Sequence, residues 1–330
     1  MFAWYLNHSP GEYEWGEVEP PPLEPTAVAV RVLASGLNQI DNWLTRGTPK
    51  PKTFPHVPGS DGAGVVAAIG SEVTGWKVGD EVVLNPALVS PEALIELGED
   101  SVLDPSLRIL GEHTWGCHGE FVNIAQHQLT RKPPELPWEE CATYPVAATT
   151  AWRMILRGRV QPGERVLITG VGGGVSAFAQ LLCQHIGAEV FTTSRDEAKR
   201  QTSKRLGAAD SFPSEAAFPV TVDVVLDSIG PAVWQNCFTS LRRGGRFVTC
   251  GATSGQTIEL HIPSLFFKQH EIIGSTLGSQ AEFEQVTQIL AQGLPSTIDR
   301  VVPLSEYPLA LERLREGSQF GTIVLHHGKN

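Results

Sequence analysis

The sequence predicts an α/β chain in two parts: a β-rich first part, then a doubly wound parallel sheet with helices on both faces. Three observations predict it. The stretch VLITGVGGGVSAFAQLLCQHIGAEVFTTSR, from Val166 to Arg195, reads as strand, glycine turn, helix, strand. From about Pro137, helical and strand patterns alternate, as a parallel sheet requires. Residues 1 to about 130 instead carry short runs of Val, Gly and Pro with frequent turns, the texture of an irregular antiparallel β domain.

Taken in order, AVAVRVLASGL, GAGVVAAIG, DEVVL and GEFVNI are the strands of the first part. WEECATYPVAATTAWRMIL predicts one helix entering the second part. Val166–Thr169 is a short apolar run, consistent with a buried parallel strand. Val175, Phe178, Leu181 and Leu182 give the next helix its apolar face, Gly187 ends it, and Glu189–Thr193 is the second strand. VDVVLDSIG predicts a strand, AVWQNCFTSL a helix, RRGG a turn and RFVTCG a strand. After Gly274 come the helices AEFEQVTQILAQG and PLALERLREG and a last strand, GTIVLHH. The chain has no internal repeat and no low-complexity segment.

A glycine turn entering a helix lets phosphate oxygens approach backbone N–H groups at the positive end of the helix dipole. Here Gly170, Gly172, Gly173 and Gly174 form that turn, with Gly172 to Val175 as the expected phosphate cradle. A strict G-x-G-x-x-G pattern would place glycine at Val175; Ser176 is the small residue available instead. After the second strand stand Ser194 and Arg195, with Lys199 one helical turn on. An NAD site usually carries a carboxylate there, which would repel a 2′-phosphate, whereas a hydroxyl and two cations suit NADP. Ser194 and Glu197 also spell a capping box, with the cations then solvated. The two readings are compatible.

Net charge is −11, which argues against nucleic acid or an anionic membrane as partner. No apolar run approaches a membrane span, and MFAWYL lacks the basic start and cleavage site of a signal peptide. Cys117, Cys141, Cys183, Cys237 and Cys250 are scattered without a C-x-x-C pair, as expected of reduced thiols in a cytoplasmic protein.

Several ordered motifs resemble those of the medium-chain dehydrogenase/reductase superfamily, in its zinc-free quinone oxidoreductase-like branch. They are GLNQIDNWLTRG, PGSDGAGVVAAIGSEVTGWKVGDEV, the nucleotide turn, LGAAD, VLDSIG, RRGGRFVTCG and GSTLGS, and together they span essentially the whole chain. The resemblance implies a GroES-like catalytic domain, residues 1–130 and 275–330, interrupted by a Rossmann NADP-binding domain, residues 131–274, with the active site in the cleft between them. It also implies cofactor contacts at Thr150, Gly251, Ala252, Ser275 and Thr276, and a homodimer formed near RFVTCG or after GSTLGS.

In the family's zinc enzymes the metal ligands fall at positions that carry Asn38, Ser60 and about Val146 in this chain. None offers a thiolate or imidazole. The hydroxyl that relays the alcohol proton falls at Ile40, and the structural zinc lobe corresponds to Asn85–Leu110, which has no cysteine. No metal is therefore expected. Cys117 and His118 are adjacent but read as structural. Without a Lewis acid, hydride addition to a conjugated carbonyl or quinone is easier than alcohol oxidation, because charge spreads over the acceptor. Asn38 is the expected oxyanion donor, Asp41 a structural or loop-fixing carboxylate, Trp43 a substrate wall, and His113 a polar group at the cleft edge. The expected activity is NADPH-dependent, zinc-independent reduction of a quinone or α,β-unsaturated carbonyl. Two alternatives stand beside it: an alcohol dehydrogenase with other metal ligands, and a non-catalytic, crystallin-like NADPH-binding protein.

Overall fold

The computed structural model describes residues 1–328. The chain forms two compact units, one of residues 1–146 and 278–330, the other of residues 147–277. Each has its own core.

The first unit opens with the hairpin β1 (Phe2–Tyr5) and β2 (Glu14–Glu17). The run AVAVRVLASG becomes β3 (Ala27–Gly36), and Asn38 then starts α1 (Gln39–Arg46). β4 (Asp61–Ile69) and β5 (Glu81–Leu84) follow, then a lobe of β6 (Ala87–Leu88), α2 (Pro91–Leu97) and β7 (Arg108–Ile109). β8 (Phe121–Ala125), β9 (Leu129–Arg131) and the short α3 (Trp138–Cys141) complete the N-terminal stretch. The cysteine-free lobe is closed by hydrogen bonds and packing: Ser90 Oγ caps α2 through the Ala93 N–H, and Ala93, Ser101 and Val102 are buried.

The second unit begins with α4 (Ala147–Arg157). β10 (Arg165–Ile168), α5 (Gly174–His185), β11 (Glu189–Thr193), α6 (Glu197–Arg205) and β12 (Asp210–Phe212) form its first half. β13 (Val222–Asp227), α7 (Pro231–Ser240), β14 (Leu241–Thr249), α8 (Ile262–Lys268) and β15 (Glu271–Gly274) form the second. The six strands are parallel in the order β12-β11-β10-β13-β14-β15. Chain order reverses between β10 and β13, the topological switch point at which doubly wound sheets bind ligands. Leu167, Phe191, Val225, Trp234, Phe238 and Phe247 are among the residues packed in its core.

The chain then returns to the first unit through α9 (Gln280–Ala291), β16 (Ile298–Pro303), α10 (Tyr307–Glu316) and β17 (Thr322–His326). β17 pairs antiparallel with β3, so the C-terminal segment completes the sheet ordered β16-β17-β3-β4-β5-β9, with β8 also on β3. Val28, Val30, Val32, Val66, Val82, Leu84, Val122 and Ile124 fill that core.

Three expectations are corrected. The single helix expected over residues 138–156 is two, because Pro145 removes a backbone donor and the chain turns between α3 and α4. The unit boundary accordingly falls at Val146 rather than near residue 130, and α3 packs on β3, β4 and β17 of the first unit. On the return, Ser275 and Thr276 stay with the second unit. RRGG lies inside β14, where the register against β13 shifts between Val222 and Val224 and Gly244 takes a φ of 71°. Among the described residues no helix is long and apolar enough to cross a membrane.

Candidate active-site residues and the nucleotide turn

In the first unit, the turn from β3 into α1 sets the chemistry. Asn38 is the N-cap residue of α1, and its backbone N–H donates to Asp41 Oδ2 at 2.7 Å, one arm of a capping box. Its side-chain Nδ2 donates to Asp61 Oδ2 at 2.8 Å. The other oxygen, Asp61 Oδ1, accepts the Val146 N–H at 2.7 Å. Asp61 and Asp41 are both fully buried, whereas Asn38 is half-buried. Burial pushes the Asp61 carboxyl up to about 7; its hydrogen bonds to Asn38 and Val146 oppose that shift, and Asp41 adds to it.

Asp41 has further partners. Its Oδ1 accepts the Gly59 N–H at 3.2 Å and lies 3.6 Å from His118 Nε2. His118 Nδ1 meets Ser35 Oγ at 3.0 Å, and the same hydroxyl meets His327 Nε2 at 2.8 Å. Burial, reinforced by His118 and His326, pushes His327 down to about 3. Through these hydrogen bonds Asp41 ties the Asn38 turn to the Gly59 loop. Trp43 is half-buried on α1. His113 Nδ1 accepts the Ile109 N–H at 3.0 Å, and with Trp115, Lys52 and Arg108 the residue lines a cavity of about 680 Å³ in the first unit.

In the second unit, the expected cofactor residues collect at the carboxyl ends of the parallel strands. Gly170 to Gly174 follow β10, Ser194 and Arg195 follow β11, Gly251 and Ala252 follow β14, and Ser275 and Thr276 follow β15. Gly172 has a φ of 123°, and a Cβ there would lie 2.6 Å from Lys199 Cδ. The Lys199 side chain therefore lies along the turn. A Cβ on Gly173 would meet nothing nearer than Ser176 Oγ at 3.7 Å, which leaves its outer face open. Ser176 Oγ donates to the carbonyls of Gly170 and Gly173, locking the turn onto α5. Gly174 and Val175 are the first residues of α5, whose initial N–H groups lack helical acceptors. These features fit a dinucleotide pyrophosphate. Thr150 is buried on α4.

The Ser194–Glu197 capping box does not form. Asp196 is the N-cap of α6 and accepts from the Ala198 and Lys199 N–H groups, because one residue later is where the chain turns helical. Ser194 is 5% exposed and its Oγ accepts the Asp196 N–H, while Arg195 is exposed.

The sequence reading missed Asp61, Asp227 and Arg200. The signals were a lone carboxylate entering an apolar strand (SDGAGVV), a carboxylate ending one (VDVVLD), and a third cation after Ser194. Asp227 sits at the switch point, raised by burial, and accepts from Thr169 Oγ1 at 2.8 Å and from the Ile229 and Gly230 N–H groups. A void of about 10 Å³ beside Asp227, Thr169 and Ser176 has room for a single water. Arg200 Nη1 donates to the Ser194 carbonyl at 2.7 Å, fixing the chain where the ribose would bind.

A family model described as the alcohol dehydrogenase GroES-like domain matches residues 24–134, and one described as zinc-binding dehydrogenase matches residues 174–292. The chain is 31% identical over 336 residues to a zinc-type alcohol dehydrogenase-like protein of Schizosaccharomyces pombe, covering 96% of this chain and 94% of that one. It is 27% identical over 358 residues to the crotonyl-CoA carboxylase/reductase of Cereibacter sphaeroides, covering 94% and 83%. Among solved structures, an NAD-dependent alcohol dehydrogenase superposes with a TM-score of 0.93 at 33% identity, covering 99% and 100%. The 2-octenoyl-CoA carboxylase reductase CinF, solved with NADP and 2-octenoyl-CoA, superposes with a TM-score of 0.90 at 25% identity, covering 98% and 87%.

The zinc named in one family description does not fit this donor set. Asn38, Ser60 and Val146 supply an amide, a hydroxyl and an aliphatic side chain where three strong ligands are needed. Burial pushes the Cys117 thiol well up; His118 Nδ1 meets Ser35 Oγ, while its Nε2, 3.6 Å from Asp41 Oδ1, makes no hydrogen bond. Among the described residues, no group of three or more His, Cys, Asp or Glu could hold a metal. Full-length relatives, two matched family models, a GroES-like unit and a Rossmann-type parallel sheet agree: the chain is an oxidoreductase-type member of the medium-chain dehydrogenase/reductase superfamily.

Proposed function

We propose that this protein is an NADPH-dependent, zinc-independent reductase of α,β-unsaturated carbonyl compounds, with enoyl thioesters ahead of quinones as substrates. The observation that carries the reading is Asn38: an oriented amide donor stands where zinc relatives place a metal ligand. The names of the crotonyl-CoA carboxylase/reductase of Cereibacter sphaeroides and of CinF describe reductases of enoyl-CoA thioesters, which supports the thioester preference.

Gly172–Val175, Ser194, Arg195 and Lys199 would hold NADPH, which would supply a hydride; Thr150, Gly251, Ala252, Ser275 and Thr276 complete the proposed contacts. Asn38 Nδ2 has two hydrogens, and Asp61 takes one. The second is available to the substrate carbonyl oxygen, whose negative charge grows as the β-carbon accepts hydride. The enolate then collapses by taking a proton from water at the α-carbon. Asp41 holds the Asn38 backbone, and Trp43 is the proposed apolar wall.

The test is a panel of enoyl-CoA thioesters, enones, quinones and primary alcohols, followed by NADPH absorbance. NADPH consumption with the enoyl thioesters and enones is expected. Turnover confined to alcohols with NAD would overturn the reading, and tight NADPH binding without any turnover would favour the crystallin-like alternative.

The proposed assembly is a homodimer through the open edge of the parallel sheet. β14, which carries the RFVTCG named from the sequence, is interior, so the interface moves to β15, one of the two edge strands; Ile262, Phe266 and Phe267 of α8 are 55%, 56% and 67% exposed, with Ile272 of β15 at 40%. An open edge beside exposed apolar side chains favours pairing with a second copy. Phe267→Glu is expected to shift a dimer to monomer in sedimentation velocity at micromolar concentration; a wild-type protein already monomeric there would contradict the assembly.

A further inference from the structure

The carboxylate of Asp61 joins Asn38 and Val146, two of the three positions to which the family resemblance assigns zinc ligands. Its Oδ2 holds the Asn38 amide and its Oδ1 holds the Val146 N–H, at 2.8 and 2.7 Å. The third position, Ser60, is its chain neighbour, with a buried hydroxyl that has no hydrogen-bond partner. Both oxygens of a carboxylate accept, so the single group can satisfy two donors arriving from β3–α1 and from the chain after α3.

The site around it is built to keep that geometry. Gly36, at the end of β3, has no room for a side chain: a Cβ would lie 3.2 Å from Asp61 Cβ and Oδ2 and 2.2 Å from the Ala142 carbonyl oxygen. Gly62, which follows Asp61, is packed against Cys117, whose Sγ would lie 2.4 Å from a Cβ. A side chain at Gly36 would crowd the Asp61 carboxylate, and one at Gly62 would collide with Cys117 beside it. Asn38, half-buried, would otherwise rotate about its χ angles, at an entropic cost to any substrate that needed it fixed.

We propose that Asp61 is the positioning residue of this site, a carboxylate bracket that fixes the Asn38 amide and the Val146 backbone where relatives use a metal ion. The inference rests on the reading of Asn38 as the oxyanion donor. The bracket acts through Asn38, so its loss and the loss of Asn38 must not add. An amide at position 61 offers one acceptor oxygen and an –NH2 that opposes the other donor, so Asp61→Asn breaks one arm while keeping the shape.

The experiment is a double-mutant cycle on enone or enoyl-CoA reduction, with Asn38→Ala, Asp61→Asn and the double variant. Each single variant is expected to lower kcat about tenfold to a hundredfold with the NADPH KM unchanged, and the double variant to be no slower than Asn38→Ala alone. The swap Asn38→Asp/Asp61→Asn restores one donor–acceptor pair in reverse. It should recover thermal stability relative to Asp61→Asn without recovering kcat, because the oxyanion donor is gone. Losses that multiply in the double variant, or full kcat in Asp61→Asn, overturn the bracket. If Asp61→Asn does not fold, the cycle is run with Asp61→Glu, which keeps the charge and displaces it by one methylene. A crystal structure of the Asp61 variant separates the two claims. Asn38 turned away from its wild-type place supports the bracket even if no substrate in the panel is reduced, and Asn38 unmoved overturns it even if reduction is robust.

Discussion

Ser194→Asp is expected to raise the Michaelis constant for NADPH by about a hundredfold while leaving that for NADH unchanged or lower. The carboxylate would stand at the end of β11, beside the proposed 2′-phosphate partners Arg195 and Lys199. At an effective dielectric near 20, two like charges about 4 Å apart repel by about 4 kcal/mol, and solvent around the exposed Arg195 next to the buried Ser194 reduces that to about 2–3 kcal/mol. That is about a hundredfold in affinity. The substitution also suits the local hydrogen bonding, because Ser194 Oγ accepts the Asp196 N–H at 3.2 Å and a carboxylate can do the same. Arg195→Ala removes one charge-assisted hydrogen bond from an exposed side chain, and the expected rise for NADPH is about tenfold. Steady-state kinetics with both cofactors check the pair. Equal responses of NADH and NADPH would mean the patch is only a solvated helix end, and the NADP assignment would fall while the fold stands.

The second large effect is on stability against pH. The Asp61 carboxyl is raised from an ordinary value of 3.8 to about 7 by burial. The folded protein therefore binds that proton more tightly than the unfolded chain. The stability it contributes is fully present below pH about 4 and is lost as pH rises through about 7. Between pH 5 and pH 8 the loss amounts to about 3 kcal/mol, at 1.36 kcal/mol per unit. Asp61→Asn has no such proton, so the stability difference between wild type and variant should move by about that amount in the variant's favour over this window. His327 works in the opposite direction: its ring is pushed down to about 3, so its contribution is present above pH 6.5 and fades as pH falls toward 3. It is common to both proteins and cancels in the difference. Urea midpoints at pH 5 and 8 measure the effect, and a difference that does not vary with pH would show Asp61 to be ionised throughout.

The nucleotide unit was legible because its signals are local. Glu189–Thr193 is the observed β11, and the glycine turn opens α5 as its spacing requires, since backbone geometry at a tight turn is written in glycine positions. Asn38 and Asp41 were singled out separately, but their pairing as one arm of a capping box at the start of α1 was not read, although their three-residue spacing carried it. What stayed hidden depends on partners far apart in sequence. Asp61 acquires its role only when β3–α1, β4 and the chain at Val146 converge, and the His118–Ser35–His327 series needs β17 laid against β3. The split between α3 and α4 was written in Pro145, yet the apolar periodicity on either side masked it. The capping box expected at Ser194 failed by two residues for the same kind of reason: Asp196 competes for the N-cap position, and strand length decides which residue sits there.

Direct hydride transfer to a conjugated carbon without metal is read from isotope placement. Protein dialysed against a chelator and assayed for zinc is supplied with NADPH deuterated at the nicotinamide C4 and with an enoyl-CoA substrate, and the product is read by mass spectrometry and NMR. Substoichiometric zinc, undiminished turnover, and deuterium at the β-carbon of a saturated product are expected. Deuterium on the former carbonyl carbon of an alcohol, or activity lost to the chelator and restored by zinc, would contradict it.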